Sequence, residues 1–315
     1  MTTGLLTHAA CLEHLMPPGH PERVERLQAV LRSLDAARFP DLVRIDSPRA
    51  RRGALLRVHE AALVDAILEA RIEPGRFARI DADTAMSPGS AEAALRAAGA
   101  IVKAVDAVME GRIGNAFCAV RPPGHHAERG RSMGFCLFNN VAVGALHARA
   151  THGIERIAVV DFDVHHGNGT QDIFFDDPNL FYASTHQFPL YLGTGNTGER
   201  GIAGNVVNVP LAAGSGGETF RCAFENQILP SLARFSPQFL FISAGFDAHE
   251  ADPLAGLCLH ETDFGWATAR LCEIAARFCE GRVVSALEGG YDLDALANST
   301  AVHVRALMAG SHPRP

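Results

Sequence analysis

The sequence predicts an α/β protein: a mainly parallel sheet covered by helices on both faces. Strand-like and helix-like segments alternate along most of the chain. Several strand-like runs, 157–160 among them, are continuously apolar and β-branched, as strands buried on both faces must be. The acids, histidines and glycines gather just after such runs, and open α/β sheets bind ligands where the chain leaves a strand.

In chain order, residues 5–7 read as a first strand. The loop MPPGHPER then precedes an amphipathic helix over about 22–34. A second strand fits 42–45, and a helix over about 54–70 leads to the turn-rich DADTAMSPGS. There Ser87 as N-cap and Pro88 open a long helix to about 110. Strand 115–120 runs into RPPGHHAERG, helix 139–152 follows, and strand 156–163 ends in the densest cluster, DFDVHHGNGTQ. Beyond it come strands 180–186 and 205–209, helix 217–235, strand 239–244, helix 262–279, strand 282–287 and helix 293–308. No linker, low-complexity tract or repeat divides the chain, so 1–315 is expected to form one domain with a short tail over about 309–315.

Composition narrows the function. With 47% hydrophobic and 20% charged residues, the 315-residue chain has ample material for a core. Its net charge is −7 and no Lys/Arg run is present, which argues against direct nucleic-acid binding. The seven cysteines are odd in number, scattered and free of Cys-x-x-Cys pairs, which speaks against a disulfide framework or a zinc ribbon. MTTGLLTHAACLEH has no basic start followed by an apolar core of signal length, and no run approaches the ~20 apolar residues of a membrane span. A cytoplasmic protein without a membrane segment is expected.

Alternation along strand 156–163 puts Asp161, Asp163 and His165 on one side of the chain, converging at one strand end. Strand 115–120 delivers His125 and His126, strand 239–244 delivers Asp247, and strand 282–287 delivers Gly289, Gly290 and Tyr291. Four strand ends on one rim would bring sequence-distant residues into one pocket.

RPPGHHAE, GFC at 134–136, DFDVHHGNGTQ, SAGFDAH at 243–249 and EGGY at 288–291 resemble the zinc-dependent histone deacetylase family, in its class II-like and amidohydrolase-like form. The resemblance runs from HPERVERL near residue 20 to the last helix. It implies the three-layer α/β/α arginase/deacetylase fold with an eight-stranded sheet, metal ligation by Asp163, His165 and Asp247, a catalytic pair His125 and His126, and Tyr291 as the transition-state hydroxyl. It also implies orientation of His125 by Asp161 and of His126 by Asn168. Gly134, Phe135 and Tyr191 would border a narrow channel, although LYLGTG stands where many relatives carry Phe-Pro-Gly-Thr-Gly. Asp83 matches an acidic rim residue of some relatives and reads equally as a turn or cap residue. Potassium is implied near Asp161, Asp163, His165 and Ser184.

The residue types suit this chemistry. Two carboxylates and one imidazole leave a divalent ion with open positions for water and a carbonyl oxygen, and they are compatible with zinc or ferrous iron. Paired histidines can take and return a proton. Asp161 favours a cationic His125, whereas neutral Asn168 leaves His126 easier to deprotonate, so His126 is assigned as general base. Tyr291 on its Gly-Gly turn can donate to a developing oxyanion.

Two-manganese ureohydrolases carry Asp-x-His-x-Asp and Asp-x-Asp; the corresponding positions here end in Gly167 and His249, so one divalent ion per chain is expected. GTGNTG at 193–198 precedes more loop rather than a helix, against dinucleotide binding. His147 and His152 read as helix-surface residues. The expected activity is deacetylation of an N-acylated amine, acetyl-lysine in a protein or peptide before acetylpolyamines or other small acyl-amines. A non-catalytic acyl-lysine binder is disfavoured by the complete ligand and catalytic set. Oligomerisation is left open.

Overall fold

The computed structural model describes residues 2–311. Among them, one sheet has eight strands: β1 (Thr3–Thr7), β2 (Val43–Asp46), β5 (Asn115–Cys118), β6 (Ile157–Asp161), β7 (Leu180–Gln187), β8 (Val206–Leu211), β9 (Phe239–Ala244) and β10 (Val283–Leu287). A separate antiparallel pair, β3 (Ala78–Arg79) and β4 (Ala85–Met86), spans part of the turn-rich segment. The order across the large sheet is β2-β1-β5-β10-β9-β6-β7-β8, and every pairing in it is parallel. The predicted three-layer fold is therefore present, with eight strands.

The four central strands are buried along their whole length, which is why they read as unbroken apolar runs rather than alternating ones. Helices α1 (Val24–Ser33), α2 (Arg52–Leu55), α3 (Ala61–Leu68), α4 (Ser90–Met109), α5 (Asn140–His152), α6 (Asn168–Phe174), α7 (Gly217–Ala223), α8 (Leu229–Phe235), α9 (Glu261–Phe278) and α10 (Leu293–Ala309) complete the layers. The apolar core runs from Leu5 to Leu307 in sequence. Of the tail expected over 309–315, residues 312–315 lie outside the described residues.

Four expectations are corrected. The helix expected over 54–70 is two helices, because His59 is buried at the break and bonds both ways: its Nδ1 is 2.9 Å from the Glu128 carbonyl and its Nε2 accepts from the Asn139 N–H at 2.9 Å. Glu60 then takes extended backbone and starts α3. Ser87 is not the N-cap of α4; Gly89 is, and the Ser87 hydroxyl instead accepts from the Leu15 N–H at 2.9 Å. Helix 217–235 contains a π-helical turn over Phe224–Ile228, immediately before Pro230 at the start of α8. Helix α6 forms directly after the Asp163 cluster, where the sequence pattern predicts none.

Candidate functional site

The four strands whose ends carry the chemistry, β5, β10, β9 and β6, are consecutive neighbours at the centre of the sheet. Their carboxyl ends converge. Asp163, His165 and Asp247 bring one donor atom each to within 4.8 Å of one another, the two carboxylates fully buried. His165 Nδ1 lies 3.1 Å from Asp163 Oδ1 and 3.2 Å from Asp247 Oδ2. Backbone N–H groups hold the carboxylates in place: Gly289 donates to Asp163 Oδ2 at 2.8 Å, His165 to Asp163 Oδ1 at 2.9 Å, and Val164 to Asp247 Oδ1 at 2.9 Å.

This donor set fits a divalent ion. Among the described residues no Lys or Arg is hydrogen-bonded or ion-paired to either carboxylate. Burial, then the neighbouring Asp163, push the Asp247 carboxyl above its ordinary range, a cost that a bound cation relieves. Burial disfavours charge on His165 as well, yet Asp163 and Asp247 outweigh it and raise the imidazole to about 10. The trio is built to hold positive charge, whether proton or metal. Space for the carboxylates comes from Gly289, where a Cβ would lie 2.0 Å from Asp247 Oδ2.

The two histidines stack beside this trio with ring centroids 4.0 Å apart. His125 Nδ1 sits 3.0 Å from Asp161 Oδ2, and His126 Nδ1 sits 2.7 Å from Asn168 Oδ1. The Asn168 amide in turn donates to Glu128 at 2.8 Å, which fixes its oxygen toward His126. Burial pulls both imidazoles down. For His125 the carboxylates of Asp163 and Asp161 win and lift it to about 10, whereas for His126 the cations at His125 and His165 add to burial and hold it well below its usual value. A neutral His126 beside a cationic His125 is the arrangement that results.

A cavity of about 180 Å³ leads to this point, lined by Asp83, Gly134, Phe135, Tyr191, Leu254 and Tyr291 among others. Phe135 and Gly134 both have positive φ (66° and 55°) at the tip of a tight turn closed by the Met133–Cys136 pair, the backbone requirement of a type I′ turn. A Cβ at Gly134 would fall 2.5 Å from the His126 ring, so only glycine lets this turn lie against the histidine. Phe135 meets Tyr291 edge to face at 5.9 Å, and Tyr191 stands edge-on to His126 at 5.2 Å. Asp83 both lines the cavity and belongs to a turn, its N–H bonded to Asp81 Oδ1 at 3.0 Å. Ser184 is the register partner of Asp161 across β6 and β7, with its hydroxyl 2.9 Å from His186 Nδ1. A larger cavity of about 580 Å³, lined by Leu15, Pro17, His20, Phe77, Pro253 and Tyr291 among others, contains none of the converging donors.

Several supporting residues went unrecognised in the sequence. Glu288, at the end of β10, accepts from the Gly124 and His125 N–H groups at 2.6 and 3.2 Å and from Ser243 at 3.1 Å, pinning the histidine loop to the sheet. Burial raises its carboxyl to about 7 against the pull of His125. Asp252 accepts from the Tyr291 N–H at 2.7 Å and so fixes the turn that carries the tyrosine. Arg26 donates to the carbonyls of Gly290 and Glu288 at 2.5 and 2.6 Å, and its guanidinium lies 4.7 Å from the centre of the Tyr291 ring. Glu22, between Arg26 and Arg121 and wholly buried with them, pairs with both. Tyr182 donates to Asp161 at 3.3 Å and accepts from the Gly167 N–H at 2.9 Å, so all three tyrosines of the chain surround the site.

The Histone deacetylase domain family matches residues 20–307. A "Probable deacetylase" of Archaeoglobus fulgidus is 38% identical over 313 residues, covering 98% of this chain and 87% of that one. A "Histone deacetylase-like amidohydrolase" of Pseudomonas aeruginosa is 39% identical over 285 residues, covering 88% and 74%. The crystal structure of the HDA15 HD domain superposes with a TM-score of 0.90 at 35% identity, over 98% of this chain and 89% of that one. By the reach of these matches along sequence and fold, the chain belongs to the histone deacetylase family.

Proposed function

We propose that this chain, acting as one catalytic domain, hydrolyses N-acylated amines, with acetyl-lysine in a protein or peptide as the favoured substrate. The observation that carries this reading is the convergence of Asp163, His165 and Asp247 beside a neutral His126 at the base of a narrow cavity. Asp163, His165 and Asp247 would hold a divalent ion, zinc by family membership, with ferrous iron equally suited to the donors. When bound, such an ion supplies Lewis acidity toward the acyl carbonyl and the attacking water.

The side chains supply the rest. His126, uncharged and oriented by Asn168, accepts the proton that water gives up, and the histidine pair returns a proton to the amine nitrogen as the C–N bond breaks. His125, kept cationic by Asp161, stabilises negative charge as it forms. The Tyr291 hydroxyl donates to the developing oxyanion, its turn held by Asp252 and Arg26. Phe135, Leu190, Tyr191 and Leu254 give the cavity apolar walls suited to the methylene stem of lysine, and ill suited to a charged nitrogen partway along a polyamine. Asp83 at the wall would take a hydrogen bond from the substrate backbone. Asp161 and Ser184 would hold a structural potassium ion with the backbone around Asp163 and His165. The free cysteines accord with a reducing compartment such as the cytoplasm, and no helix among the described residues is long and apolar enough to cross a membrane.

Turnover of an acetyl-lysine and longer acyl-lysine peptide panel beside acetylated polyamines, with and without chelator, tests the proposal. Chelator-sensitive release of acetate, leaving a free lysine side chain in the peptide, is expected to be faster than any polyamine reaction. Faster polyamine turnover would overturn the substrate assignment, and stoichiometric peptide binding without turnover would overturn catalysis.

The division of labour between the histidines is tested by Asn168→Asp. A carboxylate 2.7 Å from His126 Nδ1 stabilises the imidazolium and so raises the pKa of His126. His126 must be neutral to work, so the acidic limb of kcat/KM is expected to move to higher pH at unchanged metal content. An unmoved limb would reassign the base.

A further inference from the structure

Far from the pocket, two histidines that the sequence placed on the surface of α5 are turned inward to α4. His147 Nε2 lies 2.7 Å from Asp106 Oδ1, and His152 Nε2 lies 2.8 Å from the same oxygen. The two rings are 5.8 Å apart and nearly perpendicular, at 81°. One donor atom from each of the three residues lies within 4.8 Å of the other two, and among the described residues the Asp163, His165 and Asp247 trio is the only other such group. The side chains are half-buried, at 29% exposure for Asp106, 12% for His147 and 18% for His152, so a small ion from solvent can reach them.

We propose that Asp106, His147 and His152 form a second divalent-metal site, of the two-imidazole, one-carboxylate kind that takes zinc, nickel or copper(II), clasping α4 to α5. The donor count and types are those of zinc sites that keep an open position. A tetrahedral ion about 2.0–2.1 Å from each donor needs donor atoms roughly 3.3 Å apart. The two Asp106 contacts, at 2.7 and 2.8 Å, must therefore lengthen by only about half an ångström, within reach of side chains that still touch solvent. Thr151 Oγ1 stands 3.3 Å from His147 Nδ1 and orients that ring from behind. His152 is the last residue of α5, just before Gly153 with φ 68°, so its ring can adjust without disturbing a continuing helix.

The site lies at the opposite end of α5 from Asn139, whose side chain caps the helix next to the histidine loop. Thirteen helical residues put about 20 Å between the two ends. Metal bound here would stabilise the helix pair by mass action and leave turnover alone.

Zinc is the probe. The protein, with its pocket first saturated, is dialysed against a zinc series, and bound metal is counted by elemental analysis. The wild type is expected to take up one further equivalent, absent from His147→Gln/His152→Gln and from Asp106→Asn, with peptide turnover unchanged and a zinc-dependent rise in Tm in the wild type only. Should the double variant fold poorly, His152→Gln alone, at the helix end, is expected to weaken the second equivalent at least about ten-fold. Copper(II) at the wild-type site is expected to show hyperfine coupling to two imidazole nitrogens. Equal zinc uptake by wild type and variants, or no second equivalent in the wild type, would overturn the proposal and leave the trio as a hydrogen-bonded clasp.

Discussion

Asp247→Ala is expected to abolish turnover and to remove the tightly held metal equivalent of the pocket. Among the described residues three side chains bring their donors together there, so losing one leaves two, too few to hold a catalytic ion firmly. The effect is sharpened by what remains. Without the Asp247 carboxylate, His165 loses one of the two anions that raise it, and the Val164 N–H loses its buried acceptor. Asp163→Ala and His165→Ala should behave alike, and Asp163→Ala should also free the Gly289 N–H. Elemental analysis beside an acyl-peptide assay is the measurement. A variant that keeps both zinc and turnover would strike that residue from the ligand set.

Tyr291→Phe is expected to retain fold and metal while lowering turnover by about two to three orders of magnitude, the usual size for one lost oxyanion donor. The substitution removes one oxygen and leaves the ring, which keeps its edge contact with Phe135 and its place beneath Arg26. The Tyr291 N–H to Asp252 bond is backbone and survives as well. Burial holds the phenol well above its ordinary pKa, so it stays a donor throughout the working pH range. The loss should appear in kcat far more than in KM, because the bond strengthens only as charge forms. Wild-type turnover would make Tyr291 a packing residue.

What could be read in the sequence divides along physical lines. The central strands were legible because burial on both faces demands unbroken apolar runs, and the converging residues because they sit in short motifs after those strands. Ala54, Leu55, Val58, Val64 and Ile67 are all buried, so apolar periodicity ran straight across the break between α2 and α3. The break is set by His59 reaching loops about 70 and 80 residues away, which no local pattern records. Helix α6 was hidden by its opening, Asn168-Gly169, poor helix formers, and is held instead by the Asn168 contact with His126 and the bond from the Thr170 N–H to the His125 carbonyl. Glu288, Asp252 and the Glu22, Arg26 and Arg121 group escaped for the same reason: a buried charge looks like any other charge until its partner is known. A glutamate directly after an apolar strand, and charged residues inside HPERVERL and RPPGHHAE, were the available signals.

The strand order carries one more consequence, for how the molecule comes into being. In the chain β6 is the next large-sheet strand after β5, yet β9 and β10 lie between them in the sheet. A nascent chain that has emerged only through β8 therefore cannot join its two halves; β5 and β6 each wait with an open edge for partners not yet synthesised. Asn115 pairs with Val283 and Ile157 with Phe239, so closing the middle of the sheet is a contest of long loops rather than local turns. The donors follow suit, since Asp247 and Tyr291 arrive with those last strands. Until β10 slides into place the protein has a hole in its centre and two sticky edges, a stretch of its life during which aggregation competes with folding.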